Sequence, residues 1–173
     1  MTVVPDSVLN GDYTAHIRWL IRRDMPEVLE IEQACFEFPW SEEDFIRCLR
    51  QRNCIGMVAE VEDLVLGFVI YELHKSRLHV LNLAVHPHAH RHGLGTAILE
   101  KLRNKLSSQR RTRIMAEVRE TNLAAQQFMR ASGLRAISVL RDFYDDTTED
   151  AYLFEYRLPQ PSVQEELDAA FPG

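Results

Sequence analysis

Residues 78–106 read LHVLNLAVHPHAHRHGLGTAILEKLRNKL, and this stretch decides the fold. Leu78 to Val85 is an apolar run with strand character, and a turn rich in His and Arg follows it. Gly93, Leu94, Gly95 and Thr96 then lead into an amphipathic pattern that runs to Leu106. The order is strand, glycine loop, helix. The first turn of a helix leaves its backbone N–H groups without intrahelical partners and carries the positive end of the macrodipole. A glycine loop lets a ligand approach those groups closely, so the stretch predicts a site for an anion, a phosphate or pyrophosphate above all.

Taken alone the glycine pair is weak evidence, because many strand-to-helix turns need glycine for positive φ. It is not a phosphate-binding loop of the Walker type, since no Lys-Ser/Thr pair follows. The dinucleotide fingerprint is also excluded, because Ile98 stands where its third glycine would be.

Working outward, 173 residues suit one domain with a sizeable core. A net charge of −6 argues against general nucleic-acid binding, which wants a basic surface. No apolar run approaches a membrane span, and the first residues lack a charged and then apolar leader, so a cytoplasmic protein is expected. Cys35, Cys48 and Cys54 are odd in number and lack C-x-x-C spacing, which suggests neither a disulfide framework nor zinc.

Residues 1–13 read as a flexible lead, 14–158 as the folded domain and 159–173 as an acidic, Pro-containing tail that is mobile or forms a short helix. Within the domain a strand begins at His16, and Asp24 is placed to cap a helix through Val28, Ile31 and Cys35. Ser41 with Asp44 forms a capping-box pattern for a second helix. Residues 55–61 and 64–73 read as a hairpin turning at Glu62-Asp63. After the central stretch come a strand from Arg113, a helix from Asn122 to Ala131 stopped by Gly133, and strands 134–141 and 151–158. The order β α α β β β α β α β β predicts an α+β domain, a mixed sheet with helices on both faces.

Four segments together resemble the GNAT superfamily of N-acetyltransferases, closest to the RimI-type ribosomal-protein alanine N-terminal acetyltransferases. They are Phe38-Pro39-Trp40-Ser41-Glu42, Asn82 to Gly95, Glu117-Val118-Arg119 with Asn122 and Gly133, and Arg141-x-Phe143-Tyr144 followed by Glu149-Asp150-Ala151. The family's loop motif starts with Gln or Arg. His90 holds that position here, a departure that leaves the backbone cradle intact.

The resemblance implies a mixed, mostly antiparallel seven-stranded sheet with splayed central strands and about four helices on its two faces. It implies acetyl-CoA as co-substrate, its pantetheine arm on the edge of Leu83, Ala84 and Val85. The pyrophosphate would lie on the N–H groups of Arg91, His92, Gly93, Leu94, Gly95 and Thr96, beside His90, with Asn122 touching the cofactor at the next helix. The acceptor it implies is a protein or peptide N-terminus. Phe38, Trp40, Asn82 and Tyr144 would contact that acceptor. No nucleic-acid or membrane partner is expected, and a monomer or weak homodimer is.

Acetyl transfer to an amine needs the amine neutral, and a modest base suffices for an α-amine of pKa about 8. Glu117 is the candidate. It alternates with the apolar Ile114, Ala116 and Val118, so beside a splay it would point into the cleft. The family's general acid is a tyrosine about twelve residues on, where this chain has Met129, which cannot donate a proton. Three readings stay open: the thiolate leaves without an acid, Tyr144 substitutes, or the protein binds acyl-CoA without efficient catalysis. Acceptors other than a peptide N-terminus, a small amine or a lysine side chain, also stay open.

His86, His88, His90 and His92 invite a metal reading, but a turning loop opposes their convergence and a polar anion loop is preferred, with no metal. Arg110, Arg111 and Arg113 read as solvated, with the cofactor's 3′-phosphate as a partner on charge alone.

Overall fold

The computed structural model describes residues 3–11 and 13–173. Its seven strands are β1 (His16–Trp19), β2 (Cys54–Val61), β3 (Leu64–Leu73), β4 (Arg77–Val85), β5 (Arg113–Arg119), β6 (Arg135–Leu140) and β7 (Ala151–Arg157). They form one sheet in the order β1-β2-β3-β4-β5-β7-β6. Every pairing is antiparallel except that of β4 with β5. The helices are α1 (Asp6–Leu9), α2 (Met25–Cys35), α3 (Glu42–Leu49), α4 (Leu94–Arg103), α5 (Leu123–Ala131) and α6 (Val163–Ala170). Two of these, α1 and α6, go beyond the four expected.

The β2–β3 turn is the hairpin expected at Glu62-Asp63. Both residues have positive φ (47° and 65°), the requirement of a tight turn whose twist matches the strands. Ser41 and Asp44 close the capping box of α3. Asp24 does not cap α2. Its carboxylate accepts from the Ile21 N–H at 2.9 Å and pairs with Arg18 at 2.7 Å, which also holds Glu60 at 2.7 Å.

The sheet separates two cores. On one face α4 and α5 bury Leu94, Ile98, Leu102 and Met129 against Leu78, Val80, Ile114 and Phe154. On the other, α2 and α3 bury Val28, Ile31 and Phe45 against Val58, Phe68 and Ala84. Of the expected 1–13 lead, residues 1, 2 and 12 lie outside the described residues. Val8 and Leu9 of α1, with Val4, are buried in the first core, because that apolar triplet covers sheet surface that would otherwise be wet.

The tail forms α6, closed by a Ser162–Glu165 capping box, with every side chain exposed. Cys48 and Cys54 are thiols with sulfurs 3.0 Å apart, a closeness that spacing did not suggest. Among the described residues no helix is long and apolar enough to cross a membrane.

Two irregularities shape the site. Pairing of β4 with β5 stops at Val80–Ala116 although β4 runs on to Val85 and β5 to Arg119, so the strands part there. In the β3–β4 register, Tyr71 faces Val80 but Ile70 faces Asn82, which leaves Leu81 as the extra residue of a bulge. A bulge shifts the side-chain alternation by one. Val80 therefore sits in the α4/α5 core, while Asn82 turns to the α2 face.

Candidate active site

The gap between β4 and β5 opens into a cavity of about 170 Å³. On the α4/α5 side it is lined by Leu83, Ala116, Ala125 and Met129; on the α2 side by Glu32, Asn82, Glu117 and Tyr144. Phe38, Trp40, Arg119 and Asn122 complete its walls. The sheet is thus pierced at the splay, with one mouth on each face. A larger space of about 630 Å³ lies between α6 and the α4–β5 loop, but its lining holds no convergent catalytic set.

At the α4/α5 mouth the glycine loop has the conformation its sequence predicts. Arg91 and Gly93 take positive φ (66° and 79°), and no side chain caps the start of α4. The first-turn N–H groups of Leu94, Gly95 and Thr96 therefore remain available to an anion. The two glycines serve different ends. Gly93 supplies the left-handed turn, whereas a Cβ on Gly95 would lie 2.9 Å from the ring of Phe128.

His90, Arg91, His92 and Thr96 are exposed, and the buried Leu94 side chain belongs to the core. The His92 carbonyl accepts from the Tyr13 hydroxyl at 2.6 Å. Leu83 and Ala84 lie on the strand edge that β5 leaves unpaired. At Val85 the carbonyl already has partners, His90 Nε2 at 2.7 Å and the Cys35 thiol at 3.2 Å. Asn122 caps α5, its side-chain oxygen accepting from the Ala125 N–H at 3.1 Å, which leaves its amide N–H₂ for a ligand.

Of the four loop histidines, His86 is buried and accepts the His88 N–H at Nδ1. Among the described residues no three metal-binding side chains converge. The Arg110–Arg113 cluster lies at the wrong end for a role near the glycine loop. Arg111 donates to the His74 carbonyl and Arg113 to Ser76, both at the start of β4. At ~3.3 Å per residue, β4 carries the chain about 26 Å from there to the loop.

At the α2 mouth three residues that the sequence reading did not single out do most of the organising. Glu32, 1% exposed, accepts from the Trp40 N–H and from Asn82 Nδ2, each at 2.9 Å. Burial pushes its carboxyl above the ordinary range, against the pull of those two donors. Its signal in the sequence was a carboxylate on the buried stripe of α2, four residues after Val28.

Arg119 is the second. It does not pair with Glu117. Its guanidinium lies 3.8 Å from the Tyr144 ring and 5.0 Å from the Phe38 ring, and it bonds Asp146 at 2.5 Å and Thr147 at 3.2 Å. It clasps the β6–β7 loop to the α2–α3 loop across the cleft.

The third is His79. Its Nε2 lies 2.7 Å from Glu117 Oε2, and both side chains are largely shielded, 15% and 18% exposed.

The two aromatics of the α2–α3 loop are held differently. Trp40 packs edge-on to Phe45, which packs on Phe68, so its ring is tied to the core. Phe38 is the exposed one, held by Arg119. Burial pushes the Tyr144 hydroxyl up to about 12, so it keeps its proton at neutral pH.

Residues 25–134 match the acetyltransferase (GNAT) family. A [ribosomal protein bS18]-alanine N-acetyltransferase of Escherichia coli K12 is 30% identical over 132 residues, 75% of this chain and 88% of that protein. The crystal structure of the ribosomal-protein-S18-alanine N-acetyltransferase from Escherichia coli superposes with a TM-score of 0.74 at 27% identity, covering 87% of this chain and 97% of that one. NAA60 of Arabidopsis thaliana, in complex with acetyl-CoA, shares the fold at a TM-score of 0.73 and 17% identity, covering 84% of this chain and 100% of that one.

Proposed function

Because the chain belongs to the acetyltransferase (GNAT) family, we propose that it transfers an acetyl group from acetyl-CoA to the α-amine at a protein N-terminus. The observation that carries this reading is the pierced sheet. An anion cradle and a free strand edge lie toward one mouth, and a carboxylate and an aromatic-walled cleft toward the other. The relatives named for bS18 alanine acetylation make a ribosomal protein the favoured acceptor. The reading puts the reaction in the cytoplasm and the chain at work as a monomer or weak homodimer.

The residues fit acetyl-CoA, which supplies the activated acetyl group. The uncapped first turn of α4 holds the pyrophosphate, aided by Arg91, and the Leu83–Ala84 edge holds the pantetheine arm. Phe38 and Trp40 form one wall of the acceptor cleft, and Tyr144 the other. Asn82, turned to this face by the bulge and steadied by Glu32, has its side-chain oxygen left to receive the amine.

Glu117 takes the amine's proton. Of the two carboxylates on the cavity, Glu32 has both oxygens bonded, whereas the hydrogen bond of Glu117 engages one. Magnitudes decide the role of Tyr144. A hydroxyl held near 12 is a poor acid for a thiolate whose own pKa is about 8.5, a mismatch of about 5 kcal/mol. We assign Tyr144 to the acceptor wall and leave the thiolate to be protonated by water. The methionine at position 129 is then no obstacle, since no side-chain acid is required.

Steady-state turnover with acetyl-CoA and short peptides differing in their first residues tests this. Activity confined to free α-amines, strongest with alanine first, is the expected outcome. Preference for lysine side chains or polyamines would replace the acceptor. Tight acetyl-CoA binding without acceptor-dependent thiol release would remove catalysis altogether.

A further inference from the structure

The side chains of Glu72, His74, His79 and Glu117 form a line from the β3–β4 turn to the cavity. Glu72 Oε1 lies 3.3 Å from His74 Nε2, the rings of His74 and His79 stand edge to face at 6.1 Å, and His79 Nε2 meets Glu117 Oε2 at 2.7 Å. His74 is 33% exposed, so the line begins at solvent and becomes shielded toward the cleft.

Register explains the placement. His79 faces Met115, within the last rungs of the β4–β5 ladder, and Glu117 is its diagonal neighbour on the same face, one residue past the final pair. The strands part at the position where a carboxylate needs a lateral support, and His79 is the side chain that supplies it.

We propose that His79 is the positioning residue of Glu117: its Nε2–H fixes one carboxylate oxygen and directs the other toward the acceptor amine. This rests on the acetyl-transfer reading above. At 2.7 Å from an ionised carboxylate, Nε2 must carry a proton, because two acceptors would repel. Nδ1 is then the ring nitrogen that Glu117 leaves unengaged, and the His74 ring stands edge to face beside the imidazole.

The proton count closes. A neutral amine loses one proton as its nitrogen joins the acetyl carbon and the carbon–sulfur bond breaks, and the thiolate takes up one. An amine that arrives as ammonium sheds one more, and Glu117 receives it and passes it to solvent.

The charged groups around His79 are few. Glu72 faces it from β3, His74 from the turn and Glu117 from β5. On the same sheet face lie Arg77 and, around the buried Glu155, Arg113 and Arg157, at 3.5 and 3.2 Å from that carboxylate. Glu32 on α2 is occupied by Trp40 and Asn82, and Arg119 by the β6–β7 loop.

The test uses the full chain with acetyl-CoA and an alanine-first peptide, and follows kcat and KM. His79→Ala should lower kcat by about 10–100-fold, with KM for acetyl-CoA within about twofold. His79→Gln keeps an N–H donor, and should recover kcat to within about fivefold of wild type. Wild-type kcat in His79→Ala overturns the proposal. So does a kcat in His79→Gln no higher than in His79→Ala, which would leave His79 a packing role only.

A measurement without turnover separates this proposal from the functional reading. In NMR spectra of the imidazoles, the His79 ring signals should shift in Glu117→Gln, and identical signals would remove the pair. If the wild-type protein acetylates no peptide while that shift persists, the acetyl-transfer reading falls and the pairing stands. If peptides are acetylated and the His79 variants behave as wild type, the proposal falls alone.

Discussion

The glycine loop and the acceptor cleft lie on opposite sides of one sheet and are built on opposite principles. The loop is contiguous, Val85 to Thr96, and offers backbone: N–H groups, a left-handed turn at Gly93 and a close approach at Gly95. The cleft is assembled from distant parts of the chain, Glu32 on α2, His79 and Asn82 on β4, Glu117 and Arg119 on β5 and Tyr144 in the β6–β7 loop, and offers side chains. Backbone binding tolerates changes of side chain, which is why His90 can stand in the family's Gln or Arg position. Side-chain chemistry depends on angles set by tertiary contacts. Damage to the loop should therefore appear as lost affinity for acetyl-CoA, and damage to the cleft as lost turnover or lost acceptor affinity.

The division breaks first if Glu117→Gln behaves like a binding mutation. Loss of a general base costs about 10²–10⁴ in rate, so kcat should fall by at least about a hundredfold. Calorimetry should find the acetyl-CoA Kd within about twofold. An unaltered rate would take Glu117 out of the mechanism.

Gly95→Ala probes the other side. The added Cβ meets Phe128 at 2.9 Å, and the displaced helix start should weaken acetyl-CoA binding by about tenfold, since misplacement of ~1 Å costs up to 10². Adding Phe128→Leu should restore part of that affinity. Failure of the second change to help would show that the glycine is needed for something other than ring clearance.

Arg119→Leu frees the β6–β7 loop, Tyr144 included, from β5 and Phe38, so peptide KM should rise by about five- to tenfold, as befits loss of a clasp worth ~1 kcal/mol or more. Acetyl-CoA affinity should not follow.

The smallest effect separates the two carboxylates within the cleft. Because burial raises the Glu32 carboxyl in the folded chain, protonation favours the fold. Its ionisation cost is absent below the unfolded-state value of about 4.5 and is complete once pH has risen through the folded value. Glu32→Gln removes that cost. Denaturation midpoints of variant and wild type should therefore diverge in the variant's favour as pH rises from about 4.5 to 7. A constant difference across that range would mean that Glu32 does not titrate between the two states.

Local signals were legible because they act over short distances. The capping box at Ser41, the positive-φ turn at Glu62-Asp63 and the glycine loop each depend on a handful of neighbouring residues. Glu117 was legible through strand alternation and its motif. Other parts were hidden by long-range effects. Asn82 falls, by simple alternation, on the same face as Val80. The extra residue Leu81 reverses this and brings it to Glu32, fifty positions earlier. Arg119 stands two residues from Glu117 on the same strand, but the loop twenty-seven residues on offers Asp146 and a tyrosine face, and that loop wins the guanidinium. Residues 3–9 read as loose because so short an apolar segment has no stability alone. Only the sheet beneath Val4, Val8 and Leu9 gives them something to cover.

The sequence by itself determined the order of strands and helices, the glycine loop and the candidate carboxylate Glu117. Those follow from periodicity, glycine conformation and contiguous motifs, which are properties of neighbouring residues. Tertiary structure alone decided where β4 and β5 part, which face Asn82 occupies, that His79 rather than Arg119 holds Glu117, and that Met129 and Glu117 border opposite mouths of the gap. The physical reason is that each of these is settled by competition among partners far apart in the chain. A short-range pattern carries no record of which partner is nearer once the sheet has closed.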